Sequence, residues 1–377
     1  MAITRITTAN AIADSSVQNI KMSNIVQSKN IIINGDMSIA QRGTSATGLT
    51  NGSGGYHTVD RFQFAESGSP SFQFTQSQST DVPTGQGFAT SLKMDCTTAN
   101  GSLSAGSYLI IDQRVEGQNL QYLKKGTSNA ESTTMSFWVK SAKTGTYIAA
   151  LNDVDNNRYI AKSYTISNAN TWEKKTVTFA GDTTGAFGND NGASLKVQFW
   201  LVAGTTYSSG TLATSWESNT SANNAVGQVN LADSTSNEWY VTGVQLEAGS
   251  VASDFEFLPV DVNLERCQRY YHKWVSEHVY ANIAIGIVAG VKNGRGVYQN
   301  KVQFRSAPSL SADGNFRIVG DASATGTGSD IAVIRNNTYI HYLDFAFSGG
   351  SNNTVAYACE MGANNDADAE IEFSAEL

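Results

Sequence analysis

Charge is scarce in this 377-residue chain, where only 15% of residues are Asp, Glu, Lys or Arg and the net balance is −8. A nucleic-acid surface needs a basic stripe to neutralise phosphates. No Lys/Arg run here exceeds the pairs Lys124-Lys125 and Lys174-Lys175, so nucleic acid is not expected as a partner. Cysteine is scarce as well. Cys96, Cys267 and Cys359 lie far apart and cannot form a complete set of bridges, and no CxxC or Cys/His pair has zinc spacing. The four histidines, His57, His272, His278 and His341, are scattered. Nothing approaches 18 consecutive apolar residues, and the start, Met1-Ala-Ile-Thr-Arg-Ile-Thr, is too polar for a signal peptide. Entry into a membrane by a helix is therefore not expected.

Catalytic patterns are thin. There is no Gly-x-Ser-x-Gly elbow, and dispersed histidines argue against a Ser/His/Asp triad. Glycoside cleavage needs two carboxyl groups held about 5 to 9.5 Å apart. Glu66, Asp112, Glu116 and Asp153 are candidates for such a pair, but no long parallel β-helix repeat accompanies them. No catalytic residue is assigned, and the chain is expected not to be an enzyme.

What the chain does contain is Gly, Ser, Thr, Asn and Ala between short apolar segments, the composition of a turn-rich β protein with a polar rather than ionic surface. Residues 61–65 and 71–75 place Phe at every second position, as half-buried strands do. Further strands are predicted at 134–140, 145–151, 158–164, 172–179, 195–202 and 238–246. At least eight strands with almost no helical periodicity predict a sandwich of two antiparallel sheets, a jelly roll. A short helix is predicted over 261–274, with Asp261 as N-cap and Leu264, Cys267, Tyr270 or Tyr271, and Trp274 at helical spacing. Strands then resume, at 283–291, 297–305, 316–319, 331–334, 339–347, 354–360 and 370–373. Gly/Ser-rich turns at 324–330 and 348–353 separate them. The expected fold is all-β: an extended N-terminal arm at 1–29, a jelly-roll β-sandwich at 30–260, a linking helix at 261–275 and a smaller C-terminal β-sandwich at 276–377.

Residues 1–29 carry spaced apolar positions, Ile3, Ile6, Ile12, Val17, Ile20, Met22, Ile25 and Val26, that cannot bury enough area to offset their own ordering entropy. The segment reads as a disordered tail or as an extended arm docking onto a partner, and the even spacing of the isoleucines favours the arm.

Three motifs, in order, resemble those of bacteriophage tail fibres and related receptor-binding structural proteins. The first is Asn30-Ile-Ile-Ile-Asn-Gly-Asp-Met-Ser-Ile-Ala-Gln-Arg-Gly43 with Asp60-Arg-Phe62, which looks like the start of those proteins' carbohydrate-binding-module-like jelly roll. The second is the junction Val244-Gln-Leu-Glu-Ala-Gly-Ser-Val-Ala-Ser-Asp-Phe-Glu-Phe-Leu-Pro-Val-Asp-Val-Asn-Leu-Glu-Arg-Cys-Gln-Arg-Tyr-Tyr271. The third joins Val302-Gln-Phe-Arg-Ser-Ala-Pro-Ser-Leu310 to Ser374-Ala-Glu-Leu377. The resemblance covers nearly everything after residue 30. It implies a non-enzymatic, homotrimeric virion protein whose N-terminal arm attaches to other virion proteins and whose β domains meet host-surface glycans. The arm is short and no long shaft follows it, which fits a stubby spike, a short fibre, or a head or neck appendage. The alternatives are a head-decorating or neck fibre with the same domains, a tail-spike enzyme that degrades host polysaccharide, and a secreted bacterial sugar-binding module, which the missing signal peptide disfavours.

Sugar rings pack an apolar face on aromatics. Trp216, amid polar residues, and Tyr207, Tyr298 and Tyr339 are the candidate carbohydrate-binding residues, whereas Trp138 and Trp200 sit in apolar strands and are expected in the core. Ordinary packing or subunit contact is the competing reading for each. Carbohydrate-binding jelly rolls hold a structural calcium near an Asn-Gly-Asp segment and the last strand. Asn34 and Asp36 match the first, but Tyr240-Val-Thr-Gly-Val244 lacks the aspartate, so calcium rests on half a ligand set and no other cofactor is expected. Asp153-Val-Asp-Asn-Asn157 begins like a calcium loop, but Arg158 and Tyr164 stand where Gly and Glu are needed, so a hairpin turn is predicted. Asp366, Asp368 and Glu370 alternate and would share one solvated strand face. Residues 283–291 are apolar on both faces, as in a strand buried on both sides. Either this strand (Ile285, Ile287) or the helix (Cys267, Tyr270, Trp274) is expected to supply a subunit interface.

Overall fold

The computed structural model describes residues 29–377. The expected arm at 1–29 lies outside the described residues but for its last position.

Two antiparallel sheets face each other in the first part of the chain. One runs, in spatial order, Ser45–Leu49, Gln73–Ser79, Ser91–Thr98, Glu238–Ala248, Thr133–Ser141 and Glu173–Phe179. The other runs Glu217–Ser218, Arg158–Ile166, Gly145–Asp153, Ala193–Ala203, Tyr108–Glu116, Gln63–Ser67 and Gly55–Tyr56. Their inner faces share one core, with Phe64, Phe74, Phe137, Phe199, Trp239 and Leu246 among its buried members. Period-2 patterning produced this arrangement, since alternate residues of each strand point to one face. The all-β sandwich expectation holds. The strands at 45–49, 91–98 and 108–116 were not predicted: the last is buried on both faces over most of its length and so shows no alternation.

The outer face of the second sheet is also covered. Ile110, Ile148, Tyr159 and Trp200 form a separate buried cluster, against which Tyr108 packs from its own strand and Tyr207 and Leu212 from the covering segment. Trp200 is in this cluster as a buried residue, while Trp138 is only half-buried, contrary to the core expectation for it. Residues 154–157 turn between Gly145–Asp153 and Arg158–Ile166, the hairpin expected there, tied by Asn156 Nδ2 donating to Asp153 Oδ2 at 2.9 Å.

The helix is Val260–Gln268 and stops six residues before the expected end. Pro259, not Asp261, stands at its N-cap and makes no side-chain cap bond. Trp274 therefore lies on a strand, Tyr271–Val275, whose every residue is paired with Glu370–Ser374. Cross-strand pairing with residues a hundred positions away overrides the local helical spacing. The strand Glu370–Ser374 is flanked on its other side by Ser309–Asp313, giving a three-stranded sheet.

Against it packs an eight-stranded sheet, ordered Ile331–Asn336, Ile340–Ala346, Asn293–Gln299, Asn282–Gly290, Ala358–Ala363, Asn315–Val319, Ser323–Thr327 and Gly349–Gly350. A second core gathers Phe304, Phe316, Phe345, Met361, Ile371 and Phe373, with Trp274 and Tyr298 packed on it. Several boundaries differ from expectation. The strand predicted at 297–305 ends at Gln299, and residues 324–327, read as turn, are strand. The predicted strand at 354–360 is displaced to Ala358–Ala363. Asp366 and Asp368 precede the strand that begins at Glu370 and do not share its face; Asp366 Oδ2 instead accepts from the Asn315 backbone at 2.9 Å.

Candidate functional site

The three motifs quoted above meet in space. Asn30 of the first stitches itself to the closing strand of the sandwich: its Oδ1 accepts from Leu246 N at 3.0 Å and its Nδ2 donates to Val244 O at 3.0 Å. Val244 N donates to Gly35 O at 2.8 Å. A Cβ on Gly35 would sit 2.1 Å from Val244 O, which explains a glycine between Asn34 and Asp36. Asn34, at φ 60°, is held by donating to Ile39 O and Asp60 O at 2.9 and 3.0 Å.

From the helix, Asn263 enters this loop. Its Nδ2 donates to Asp36 Oδ1 at 3.1 Å and Ser38 Oγ at 3.0 Å, and its Oδ1 accepts from Asn34 N at 3.2 Å. One amide NH2 thus bonds both of these oxygens. No group of three or more His, Cys, Asp or Glu able to hold a metal occurs among the described residues. Asn34 and Asp36, the two residues expected near a calcium, are both bonded to Asn263 in this loop.

Beside this loop, arginines join the sandwich to the distal β region. Arg61, fully buried, reaches Glu376 through Nη1 and donates from Nη2 to Arg114 O at 2.8 Å. Its guanidinium lies 3.4 Å from the Tyr270 ring centroid, and that of Arg42 lies 3.5 Å from the Tyr271 ring centroid. Arg42 also reaches Glu376 Oε1 at 3.2 Å. Arg269 holds Glu116 with two bonds, of 2.8 and 2.7 Å, and Tyr270 OH donates to the same carboxylate at 2.6 Å. Burial alone would raise the Glu116 carboxyl, but Arg269 and Tyr270 outweigh it and hold it below the usual range. Arg305, from the third motif, donates to Ala375 O, Glu376 O and Asn191 O at 2.6, 3.0 and 2.9 Å. Asp60 is the exception electrostatically: burial pushes it up to about 6 despite Gln41 and Arg42.

Between the loop, the end of Tyr108–Glu116, the turn after it and the helix lies a cleft of about 380 Å³. Its lining includes Ile33, Gln118, Asn119, Tyr122 and three arginines, Arg114, Arg266 and Arg269, with no Asp or Glu. Tyr122, 46% exposed, stands at its edge.

The four aromatics predicted for sugar binding are not brought together. Trp216 packs on the sandwich core with Nε1 donating to Ala180 O at 2.7 Å. Tyr207 packs edge-on against Tyr108. Tyr298 stacks on Phe373 at 5.0 Å, its hydroxyl 2.7 Å from His272 Nε2. Tyr339 is half-buried in the distal region. Of the four candidate carboxylates, Glu116 is clamped as described, Asp153 is buried 2.5 Å from Lys125 Nζ, Glu66 accepts from Gly52 N at 2.8 Å, and burial pushes Asp112 up.

Among the expected interface residues, Cys267 and Tyr270 are 0% and 1% exposed inside the joint, and Trp274 packs on the distal core. Within the single chain the strand Asn282–Gly290, expected to be buried on both sides with a subunit contact, is covered on one face: Ala284 and Val288 are buried, whereas Ile285 and Ile287 are 74% and 55% exposed. Ile285 pairs with Val297 and Val297 with Tyr342, both exposed, so an apolar row crosses the sheet.

Pattern reading missed the arginine joint and the cleft. The usable signal was positional: in a chain this poor in charge, Arg42, Arg61 and Arg305 each sit inside a motif.

No family model matches the chain, and no curated protein matches it. Among solved structures, it is similar to the enzymatically active domain of tailspike protein 4 of bacteriophage CBA120, at 14% identity and a TM-score of 0.31. That match covers 58% of this chain but only 21% of the tailspike chain, about a fifth of its length. It is also similar to a sugar-binding protein of Bacteroides thetaiotaomicron, at 10% identity and a TM-score of 0.31, covering 58% of this chain and 99% of that one. A family 30 carbohydrate-binding module gives 10% identity and a TM-score of 0.31, covering 63% of this chain and 95% of that one. Values of this size assign no function.

Proposed function

We propose that the protein is a non-catalytic structural component of a phage virion, a tail fibre or similar appendage, which adheres to host-surface glycans as a homotrimer. The observation that supports this reading most is the convergence of the three fibre-like motifs on one joint, where Asn30, Val244, Arg269, Arg305 and Glu376 interlock. Motifs scattered over the chain then stand for a single mechanical unit: a rigid coupling that presents a distal β region at a fixed angle to the sandwich. Adhesion by such an appendage sums weak contacts over several copies, and the apolar row at Ile285, Ile287 and Val297 gives the copies a surface to meet on. The first 29 residues would bind the particle.

Immunogold labelling of intact particles, together with competition of host adsorption by purified protein, tests the reading. Labelling on a tail or other appendage and a dose-dependent fall in adsorption are expected. Unlabelled particles, or new reducing ends released from host polysaccharide by the pure protein, overturn it.

A further inference from the structure

The cleft at the joint contains charge but offers none to a ligand. Arg114 leaves its strand on the face opposite Gln113 and Val115, where its Nη1 donates to Leu377 O at 2.7 Å and its charge acts on the buried carboxyl of Asp112. Arg269 is tied to Glu116 by two bonds. Arg266 donates to Asn30 O at 3.4 Å and lies in the field of Glu256. An anion entering the cleft would give up its water without meeting a free cation, which is costly. A cation fares no better, because no Asp or Glu stands in the lining. The class that remains is an uncharged ligand.

The groups left free in the lining are apolar or neutral. Tyr122, in the turn Gln121–Leu123, is 46% exposed, and its neighbours Leu120 and Leu123 are buried in the sandwich core, so the turn is anchored beneath the ring. Gln121 Nε2 fastens the same turn by donating to Gly117 O and Gly188 O, each at 2.9 Å. Half-buried Ile33 adds apolar surface on the loop side. Exposed Gln118 donates from Nε2 to Glu116 Oε2 at 2.5 Å, which leaves its Oε1 to accept, and among the described residues nothing bonds the exposed Asn119 amide. A pyranose has an apolar face that packs on an aromatic ring, and hydroxyls that both donate and accept. The volume of about 380 Å³ lies within the roughly 300–1,000 Å³ of small-ligand pockets.

We propose that this cleft binds an uncharged saccharide, with a pyranose face against Tyr122 and its hydroxyls bonded by Gln118 and Asn119. The proposal rests on the adhesion reading and names the glycan class, neutral, that such an appendage would grip.

The test is calorimetric titration of the full-length protein with three neutral trisaccharides, cellotriose, maltotriose and carboxyl-reduced trigalacturonate, and then with the C6-carboxylate counterpart of whichever binds most tightly. At least one neutral sugar is expected to bind, and its carboxylate counterpart to bind no more tightly. Tyr122→Ala is expected to weaken binding about 10-fold, the loss of a stacking face, and Asn119→Ala about 5-fold, the loss of a neutral hydrogen bond. Both side chains are exposed and make no hydrogen bond among the described residues, so both variants keep the fold. No binding of any of the three, tighter binding of the carboxylate form, or unchanged affinity in both variants overturns the proposal. Labelled particles and competed adsorption with no trisaccharide bound would overturn it while leaving adhesion standing; unlabelled particles would remove the virion reading while leaving the cleft's chemistry measurable.

Discussion

The Arg61 guanidinium stacks on the Tyr270 ring at 3.4 Å while reaching Glu376 with Nη1. Arg61 belongs to the first motif, Tyr270 to the end of the second and Glu376 to the third, so one side chain ties the sandwich to the segments that follow the helix and the distal strand. Arginine suits the position because a planar fork can stack and bond in plane at once, which a lysine cannot.

Removing one partner of this buried pair leaves the other charge unmatched. Arg61→Ala or Glu376→Ala is expected to cost about 3–5 kcal/mol, measured by urea unfolding. Limited proteolysis at the joint should accelerate in the same variants. A loss below about 1 kcal/mol would mean that the joint does not depend on the pair.

Asn263 is expected to matter beyond its size, because its amide bonds Asn34, Asp36 and Ser38 together. Asn263→Ala should destabilise by roughly 1–3 kcal/mol, the cost of buried polar groups left without partners. Addition of calcium should not rescue the variant. Rescue by millimolar calcium would support the metal expectation at Asn34 and Asp36.

Acid should loosen the distal region. Burial, then Lys301, lowers His272 to about 4, and burial, then His272, lowers His341 to about 4. Unfolded imidazoles titrate near 6.5, so between about 6.5 and 4 the unfolded chain takes up protons that the folded chain refuses. This contribution to stability is complete above the unfolded value and falls as pH drops toward 4. Asp60 acts in the opposite sense: its folded value of about 6 exceeds the unfolded one, so its contribution grows as pH falls through 6. Urea unfolding followed by Trp274 fluorescence should show decreasing stability from pH 7 to 4.5, with a shallower slope in His272→Gln. A flat profile in the parent protein contradicts the shifts.

Light scattering should give a mass three times the 40.3 kDa of the chain. Ile285→Asp with Ile287→Asp places two charges on the apolar row and is expected to return the mass to 40.3 kDa without loss of strand content. A parent mass of 40.3 kDa excludes the trimer.

Much of the fold was legible because period-2 alternation reports a half-buried strand directly, as in residues 61–65 and 71–75. Strand Tyr108–Glu116 was missed because Tyr108 and Ile110 on its outer face pack into a second buried cluster, so the run from Tyr108 to Ile111 is apolar without alternation. Trp274 was misplaced because three- and four-residue spacing of apolar residues survives in a short strand by coincidence, and only pairing with Ile371 settles its conformation. Of the candidate site, Ile285 and Ile287 were named for a subunit contact on a strand read as covered on both faces, whereas within the single chain they are exposed; the aromatic set was not a set: Trp216, Tyr207 and Tyr298 each pack locally.

By itself the sequence determined an all-β chain poor in charge, with a helix near residue 260 and two β regions about it, because local alternation and turn chemistry are written residue by residue. Only the tertiary structure decided that Asn34, Asn263, Arg61, Arg305 and Glu376 share one joint and that three arginines line one cleft. Such sites are assembled from segments more than 200 residues apart, and no periodicity records which distant side chains a folded chain brings face to face.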